Sequence, residues 1–414
     1  MNSHQSRSRR SRHRPATLAL ALAVAVAAAA CAGGDDEVAS PPTDDTTTTA
    51  ADTTAVETTA VETTAVETTE VATTVVETTD VATTAAATTA APTTAAPTTA
   101  APTTATPPTV APTTTLVPEI ARMPLTGRPL GFAELPPDRP ALVVKIDNVG
   151  AGRPQTGLNQ ADIVFEEIVE GRQTRFAAVF HSLGANPVGP IRSGRTQDVD
   201  LLSGLNQPLF VWSGGNAGVV RAIEESGFIS LNNTGRPPAS GFFRTGRKAP
   251  HNLFNNTDPL WQQVTMALGR PTALFQYVEP GAPLPLELRS FVEVQMGTNP
   301  VRWDWDPGSG SYLRAQGGGA HQLTDGRASA NNVVVMVTSY RPSSVDARSP
   351  EAITVGSGFA FVFTGGYYHL GVWERADRFA PITLRTPEGA PIELLPGRTW
   401  VELADASGHD TQSG

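Results

Sequence analysis

Cysteine is nearly absent from this chain, which has a single one, Cys31, among its 414 residues. One thiol cannot close a disulfide within the chain, and it cannot supply a metal site built from several cysteines. If Cys31 is itself modified, no thiol remains for nucleophilic catalysis. The folded part must therefore be stabilised by its hydrophobic core.

Aromatic residues are lacking up to about residue 117, where Thr, Ala, Val and Pro dominate, and all six Trp lie beyond that point. The pentad Thr-Thr-Ala-Val-Glu occurs at Thr53–Glu57, Thr58–Glu62 and Thr63–Glu67. A five-residue period matches neither a helix nor a strand. We therefore predict that residues 31–117 form a disordered stalk, followed by a folded head of roughly 290 residues.

The N-terminus has the pattern of an export signal. Five arginines lie between Arg7 and Arg14, and the apolar run Ala16–Ala30 is short for a membrane-spanning helix. The run leads into Cys31 through three alanines, which resembles the lipobox of bacterial lipoproteins. We predict a signal peptide over residues 1–30 and a lipid such as palmitate on Cys31, which anchors an extracytoplasmic protein to the cell membrane. The alternative is an ordinary signal peptide cleaved within the alanine run.

Charge and motif content exclude several function classes. A formal net charge of −10 does not favour binding to nucleic acid or to an anionic membrane surface. Phosphate-binding loops and dinucleotide fingerprints are absent from the sequence. Single, scattered histidines lack the close pairing that zinc sites show: His181, His251, His321 and His369. The sequence therefore predicts neither a cofactor nor a metal.

Residues 118–270 have the pattern of a mixed α/β domain. Short runs rich in Val, Ile, Leu and Phe predict strands at Leu142–Asp147, Asp162–Ile168, Thr174–His181 and Leu209–Trp212. Helices are predicted over Ala217–Glu225, with Gly227 as its C-cap, and from Thr257 to about Leu268. Strands mixed with helices indicate an α+β protein.

Residues 290–404 have the pattern of a mostly β domain, joined through a Pro- and Gly-rich linker at 271–289 and followed by a tail at 405–414. Strands are predicted at Ser290–Met296, Asn332–Ser339, Phe359–Thr364, Tyr367–Trp373 and Trp400–Leu403. Gly365-Gly366 predicts a hairpin turn. The Gly-rich stretch Ser309–His321 predicts a loop. Trp303 and Trp305 would share one face of a strand, which is more typical of a core than of a sugar-binding platform.

A series of short motifs in the head closely resembles the YerB-like family of bacterial envelope lipoproteins. The motifs are Val144-Lys145-Ile146-Asp147-Asn148, Arg153-Pro154-Gln155-Thr156-Gly157-Leu158, Ala161–Glu166, Val169-Glu170-Gly171, Thr174-Arg175-Phe176, Val188–Ser193 and Ala249–Leu253. Trp303-Asp304-Trp305, Tyr312, His321 and Asn332–Val335 look like that family's C-terminal domain. The resemblance spans about residues 123 to 403. It implies a two-domain envelope lipoprotein without an assigned activity, and it supplies no catalytic residues.

The most suggestive polar residues of the head are arginines. Arginines that converge make bidentate sites for carboxylate or phosphate, and the bacterial envelope is rich in both. The candidate anion-binding or polar cluster is Arg153, Asp162, Glu166, Glu170, Arg175, Arg192, Ser193, Arg195, His251 and Asn252. The alternative is that each arginine pairs with one of the many neighbouring acids, and spacing alone does not decide between the two.

Three carboxylates recur at intervals of four residues, Asp162, Glu166 and Glu170. On a strand they would lie on one side, about 13 Å apart between neighbours. This separation is too large for a retaining glycosidase pair, so a second carboxylate would have to come from elsewhere. Ser193 and His251 could be imagined as nucleophile and base, but no Gly-x-Ser-x-Gly motif surrounds Ser193.

The sequence thus predicts a non-catalytic, lipid-anchored envelope protein. Its partner would be peptidoglycan, another anionic wall polymer or a wall-synthesis protein. The alternative is a hydrolase or transferase acting on an envelope glycan or anionic polymer, with acids such as Asp162 and Glu170 acting together with His251.

Overall fold

The structure, a computed structural model, describes residues 121–235, 239–279, 282, 287–408 and 410–414. All of them belong to one compact unit. The predicted signal peptide, lipidated Cys31 and stalk lie outside the described residues. In the described part of the chain, no helix is long and apolar enough to cross a membrane.

The described residues form short strands and a few short helices. The helices are α1 (Gln197–Leu202), α2 (Ala217–Glu224) and α3 (Thr257–Gln262). The strands of the N-terminal segment are β1 (Leu142–Asp147), β2 (Ile163–Ile168), β3 (Thr174–Phe180), β4 (Leu209–Trp212), β5 (Ile229–Asn232), β6 (Phe243–Arg244) and β7 (Leu253–Phe254). Those of the C-terminal segment are β8 (Phe291–Met296), β9 (Asn299–Asp306), β10 (Ser311–Gln316), β11 (Gly319–Ala320), β12 (Gln322–Leu323), β13 (Gly326–Arg327), β14 (Ser329–Ala330), β15 (Asn332–Thr338), β16 (Tyr340–Ser343), β17 (Asp346–Ala352), β18 (Gly356–Thr364), β19 (Tyr367–Arg375), β20 (Thr383–Arg385), β21 (Thr399–Asp405) and β22 (Thr411–Ser413).

A ten-stranded mixed sheet organises the molecule, with the order β20-β19-β18-β15-β21-β2-β3-β1-β4-β5. Strands of both sequence segments share this sheet, because β21 lies parallel to β2 as well as to β15. β1, β4 and β5 are also parallel neighbours, and α2 connects β4 to β5. The hydrogen-bond ladder is therefore continuous between the N-terminal and C-terminal segments.

Each face of the large sheet has its own hydrophobic core. A smaller antiparallel sheet, with the path β11-β10-β9-β8-β22, packs on one face through residues such as Val292, Trp303 and Tyr312. The helices α1 and α2 pack on the other face. The architecture is thus α+β with a β-rich C-terminal part, as predicted from the sequence.

Side chains alternate between these two faces along every strand. Phe165 and Val179 lie in the core on the helix side, whereas Val164 and Ala178 lie in the core between the sheets. Adjacent polar residues on one strand consequently reach different environments. This alternation decides where the charged residues of the head can meet.

Two local predictions differ from the structure. Ser309–His321 is not a loop, because Ser311–Gln316 forms β10, whose Tyr312 packs in the core between the sheets. The helix from Thr257 ends at Gln262, before the β-branched Val264 and Thr265, which have low helix propensity. Trp303 is fully buried, so its prediction as a core residue is confirmed.

Candidate functional site

The candidate site lies at the edge of the large sheet where β1, β4 and β5 end. The carboxyl ends of these parallel strands meet at one edge, the position at which open α/β sheets bind ligands. β1 ends at Asp147, whose Cα partner on the antiparallel β3 is Arg175. Ser213 and Asn233 directly follow β4 and β5, and the Ser213 hydroxyl donates to Asn233 Oδ1 at 2.9 Å. The name "edge site" is used below for Asp147, Arg175, Arg192, Arg195 and His251.

Arg192 and Ser193 reach this edge because their segment pairs with both β1 and β4. The backbone N–H of Arg192 donates to Lys145 O at 2.9 Å, and that of Ser213 donates to Arg192 O at 3.0 Å. Arg192 Nε lies 3.3 Å from Asp147 Oδ2, although it is not aligned for a hydrogen bond. The segment thus extends the sheet between two strands and places the Arg192 side chain beside Asp147.

His251 approaches Asp147 from the loop between β6 and β7. Its Nδ1 lies 2.5 Å from Asp147 Oδ2, and its side chain is 20% exposed whereas that of Asp147 is 1% exposed. Asn252 fixes the loop, because its Oδ1 accepts from Arg244 Nη1 at 2.6 Å and its Nδ2 donates to Arg247 O at 2.9 Å. A buried carboxylate therefore orients the imidazole ring and selects its tautomer.

Arg175 is the buried centre of the edge site. The residue is only 8% exposed, yet it forms no salt bridge with any carboxylate in the described ranges. Its side chain makes one hydrogen bond there, from Nη1 to Ser193 O at 3.2 Å. Burial, followed by the nearby charges of Arg195 and Arg192, lowers the pKa of Arg175 to about 10. The side chain is therefore still charged at neutral pH.

Arg195 completes the edge site near the C-terminal segment. Its guanidinium pairs with Glu170, whose side chain is 34% exposed. Although burial acts in the opposite direction, the hydrogen bond and charge of Arg195 lower the pKa of Glu170. The next residue, Thr196, has its hydroxyl 2.8 Å from that of Ser343, at the end of β16. The hairpin β16–β17 of the C-terminal segment therefore lies against the residues that hold the edge site.

Charged side chains of both signs lie in and beside the edge site. Three guanidinium groups there face two carboxylates, those of Asp147 and Glu170. Next to it, Lys145 Nζ lies 2.6 Å from Glu167 and 2.8 Å from Asp198, and all three side chains are fully buried. Burial, and then the charge of Asp198, raises the pKa of Glu167 to about 7. Burial thus favours the uncharged form of Glu167, which reduces the negative charge of this trio.

Two other predicted site residues lie away from the edge site. Asp162 Oδ2 accepts from the backbone N–H groups of His181 at 2.6 Å and Ser182 at 2.8 Å, so it caps the turn after β3. Arg153 donates to Asn148 O at 2.9 Å and lines a separate pocket of about 330 Å³. Asp162 consequently cannot act together with His251, which corrects the pairing of acid and base considered from the sequence.

Glu166 belongs to a second polar group, the core cluster, formed by Glu166, Arg314, His321 and Glu402 between the two sheets. Arg314 Nη2 pairs with Glu166, and Arg314 Nε lies 3.7 Å from Glu402 Oε1, with all three side chains fully buried. His321 Nδ1 accepts from Arg314 Nη1 at 2.7 Å. Burial, together with the charges of Arg314 and Arg153, lowers the pKa of His321 to about 2. Burial, and then the charge of Glu166, raises the pKa of Glu402.

The core cluster was not identified from the sequence. Glu166 and Glu402 are Cα partners on the parallel strands β2 and β21, and two adjacent buried carboxylates require a cation. That cation, Arg314, is 148 positions away from Glu166 along the chain. No local spacing signals such a contact. The three carboxylates predicted to lie on one side of a strand therefore have different roles. Asp162 caps a turn, Glu166 belongs to the core cluster, and Glu170 pairs with Arg195 of the edge site.

The edge site brings three guanidinium groups close to a histidine–aspartate pair, and guanidinium groups suit contacts with phosphate or carboxylate. Among the described residues, no group of three or more His, Cys, Asp or Glu side chains is arranged to hold a metal ion. The fold and the edge site therefore define an α+β protein whose polar centre is rich in arginine.

The comparisons with known proteins assign the family. Residues 125–269 match the N-terminal domain of a "Protein of unknown function (DUF3048)", and residues 292–401 match the C-terminal domain of the same family. The chain belongs to this YerB-like family, which confirms the resemblance seen in its motifs.

Two relatives show how far the likeness extends. The chain is 29% identical over 303 residues to "Putative lipoprotein YerB" of Bacillus subtilis (strain 168), an alignment that covers 69% of this chain and 88% of that protein. The crystal structure of YerB from Bacillus subtilis matches with a TM-score of 0.61 and 25% identity, over 70% of this chain and 99% of that one. Neither name states an activity or a ligand.

Proposed function

We propose that this protein is a lipid-anchored envelope protein that binds an anionic group of a wall polymer at the edge site. The observation that carries the proposal is Arg175, a buried guanidinium without a carboxylate partner among the described residues. A buried cation without a counter-ion costs free energy, and it is normally paired or neutralised. An anion that contacted Arg175 would supply the missing counter-ion.

The neighbours of Arg175 support the same ligand class. Arg192 contacts Asp147 only through a poorly aligned Nε, and its side chain is 22% exposed. Its terminal nitrogens therefore remain suited to a bidentate contact with phosphate or carboxylate. Arg195, although paired with Glu170, adds to the positive potential at Arg175. Three arginines around one point favour a polymer-borne phosphate or carboxylate over a neutral sugar.

The lipid anchor is the second part of the proposal. The relative from Bacillus subtilis is named a lipoprotein, and Cys31 follows an alanine run that resembles a lipobox. Lipid on Cys31, followed by residues 32–117, would hold the head at the outer face of the cell membrane within reach of the wall. A Cys31→Ser variant should lose both lipid labelling and membrane association, and an anchor on this residue is contradicted if the variant stays in the membrane fraction.

Retention on purified cell-wall material tests the edge site directly. Arg175→Ala and Arg192→Ala should each reduce retention of the full chain at least about tenfold, since each removes a charge-assisted contact. Arg385→Ala, which removes an exposed arginine on β20, is the matched control and should be retained like the unmodified protein. Equal retention of all three variants would overturn the proposal. Circular dichroism of each variant separates loss of binding from loss of folding.

A further inference from the structure

His251 offers a chemical feature that anion binding alone does not require. Its Nδ1 faces Asp147 Oδ2 at 2.5 Å, and a buried carboxylate at this distance accepts the Nδ1–H. In the neutral ring, Nε2 then carries the lone pair. None of the described residues forms a hydrogen bond with Nε2, and the side chain is 20% exposed. Asp147 thus acts as a positioning residue, and in the neutral ring Nε2 has no hydrogen-bond partner among the described residues and can accept a proton.

A proton acceptor does not favour the binding of an anion. The lone pair of Nε2 repels an anionic oxygen, whereas an N–H group at the same position would attract it. The lone pair suits a proton donor, which is water or a hydroxyl group. An oriented histidine beside an arginine without a counter-ion, here Arg175, is the arrangement expected where water is activated next to a group that gains negative charge.

We infer that the edge site hydrolyses phosphodiesters, with His251 as the general base, an inference that rests on the proposed anion-binding function. Arg175 has no carboxylate partner among the described residues, and the terminal nitrogens of Arg192 are not engaged by Asp147, so both can contact an anionic substrate. Arg175 and Arg192 would contact its non-bridging oxygens, where charge accumulates during attack. A carboxylic ester is neutral in its ground state and would leave the charge of Arg175 without a counter-ion until attack.

The reaction is a hydrolysis with water as the co-reactant. His251 Nε2 takes one proton from water while the water oxygen forms a bond to phosphorus. The bond between phosphorus and one ester oxygen breaks, and the electron pair leaves with that oxygen. The protonated His251 then returns its proton to the leaving oxygen. The products are a phosphomonoester and an alcohol, and the enzyme is regenerated without any change in oxidation state.

The full chain can be tested with bis(4-nitrophenyl) phosphate, which releases coloured nitrophenolate on cleavage. The unmodified protein should release it faster than buffer does, between pH 7.5 and pH 9. His251→Gln should lower this rate at least about 100-fold, which is the usual contribution of a general base. His369→Gln replaces a histidine on β19 of the other segment and should leave the rate unchanged. Arg175→Ala should lose both hydrolysis and retention on cell-wall material.

The outcomes separate this inference from the proposed function. Retention through Arg175 without nitrophenolate release would overturn hydrolysis while anion binding stands, and release that His251→Gln leaves unchanged would overturn His251 as the general base. Absence of both retention and release would overturn both. The circular dichroism and the unfolding free energy of His251→Gln should match those of the unmodified protein, a result that a purely structural role of His251 would not give. Purified wall material and phosphatidylglycerol vesicles, compared as substrates, then distinguish a polymer phosphodiester from a lipid one.

Discussion

Two buried arginines of this protein differ in whether the protein supplies their counter-ions. Arg314, in the core cluster, is fully buried and contacts Glu166, Glu402 and His321. Arg175, in the edge site, is almost as buried, but its single hydrogen bond within the described residues goes to a backbone oxygen. The first arginine has its counter-ions within the protein, and the second does not.

The difference indicates which arginine serves structure and which serves a ligand. A buried ion pair is satisfied internally, so removal of one partner leaves an uncompensated charge and destabilises the fold. A buried cation without a partner already carries that penalty, and perturbed groups of this kind are enriched at functional sites. The four predictions that follow test this contrast.

Arg314→Met should produce the largest loss of stability. The substitution leaves Glu166 and Glu402 buried without their cation, which is expected to cost about 3–5 kcal/mol of unfolding free energy. Urea denaturation followed by fluorescence measures it. Arg302→Met is the matched control on the same small sheet, where exposed pairs with Glu293 and Asp304 contribute about 1 kcal/mol or less. Equal effects of the two variants would contradict a structural role for the core cluster.

Glu167→Gln should change how stability depends on pH. The folded pKa of Glu167, about 7, lies above its ordinary value of 4.5, so the folded state binds more protons between these values. The contribution of Glu167 is therefore fully present below about pH 4.5 and is lost as the pH rises through 7. The unfolding free energy of the variant should improve relative to that of the unmodified protein as the pH is raised across this window. Glu224→Gln, at an exposed position on α2, should give no such trend.

Arg175→Met should separate binding from stability. Because Arg175 lacks a counter-ion, its replacement by an apolar side chain of similar length should leave the unfolding free energy unchanged or raise it by up to about 1 kcal/mol. Retention on cell-wall material should nevertheless be lost. A drop of several kcal/mol, comparable to that of Arg314→Met, would show that Arg175 has a structural partner and would remove the contrast between the two arginines.

Thr196→Val should have the smallest effect. Its hydroxyl lies 2.8 Å from Ser343 Oγ and donates to Glu351 at 2.7 Å, so it joins the edge region to the hairpin β16–β17. Loss of these hydrogen bonds should cost about 1 kcal/mol in thermal or urea unfolding. Retention on wall material should fall only slightly. A large loss of retention without a stability change would instead place the hairpin in contact with the ligand.

The strands of the large sheet were predicted well because their residue types indicate that they are buried. Leu142–Asp147 and Leu209–Trp212 were predicted with the observed bounds, since a short run of branched and aromatic residues is typical of a strand buried on both faces. Ser309–His321 was wrongly predicted as a loop, because its many glycines outweighed the alternating pattern of residues 311–316, which form β10. Glycines at tight turns between short strands resemble those of a loop when only the sequence is read.

The candidate site could be predicted only in part. Arg175, Arg192, Arg195 and His251 were named from the sequence, and the structure places Arg192 and His251 at Asp147, with Arg175 and Arg195 beside them. Asp147 was not among the predicted site residues, and Asp162 was included although it caps a turn. A carboxylate at a strand end and one just before a strand look alike in sequence. Their roles depend on which backbone groups and side chains arrive from elsewhere in the chain.

The sequence by itself determined the composition of the head, most of its strands, its family and the pool of charged residues. These follow from local patterns, since side-chain periodicity and motif order are properties of neighbouring residues. Only the tertiary structure decided which charges meet. Glu166 and Glu167 are adjacent, but the alternation of β2 sends Glu166 to Arg314 between the sheets and Glu167 to Lys145 on the helix side. Pairing between distant strands thus satisfied one buried arginine and left Arg175 without a counter-ion in the described structure.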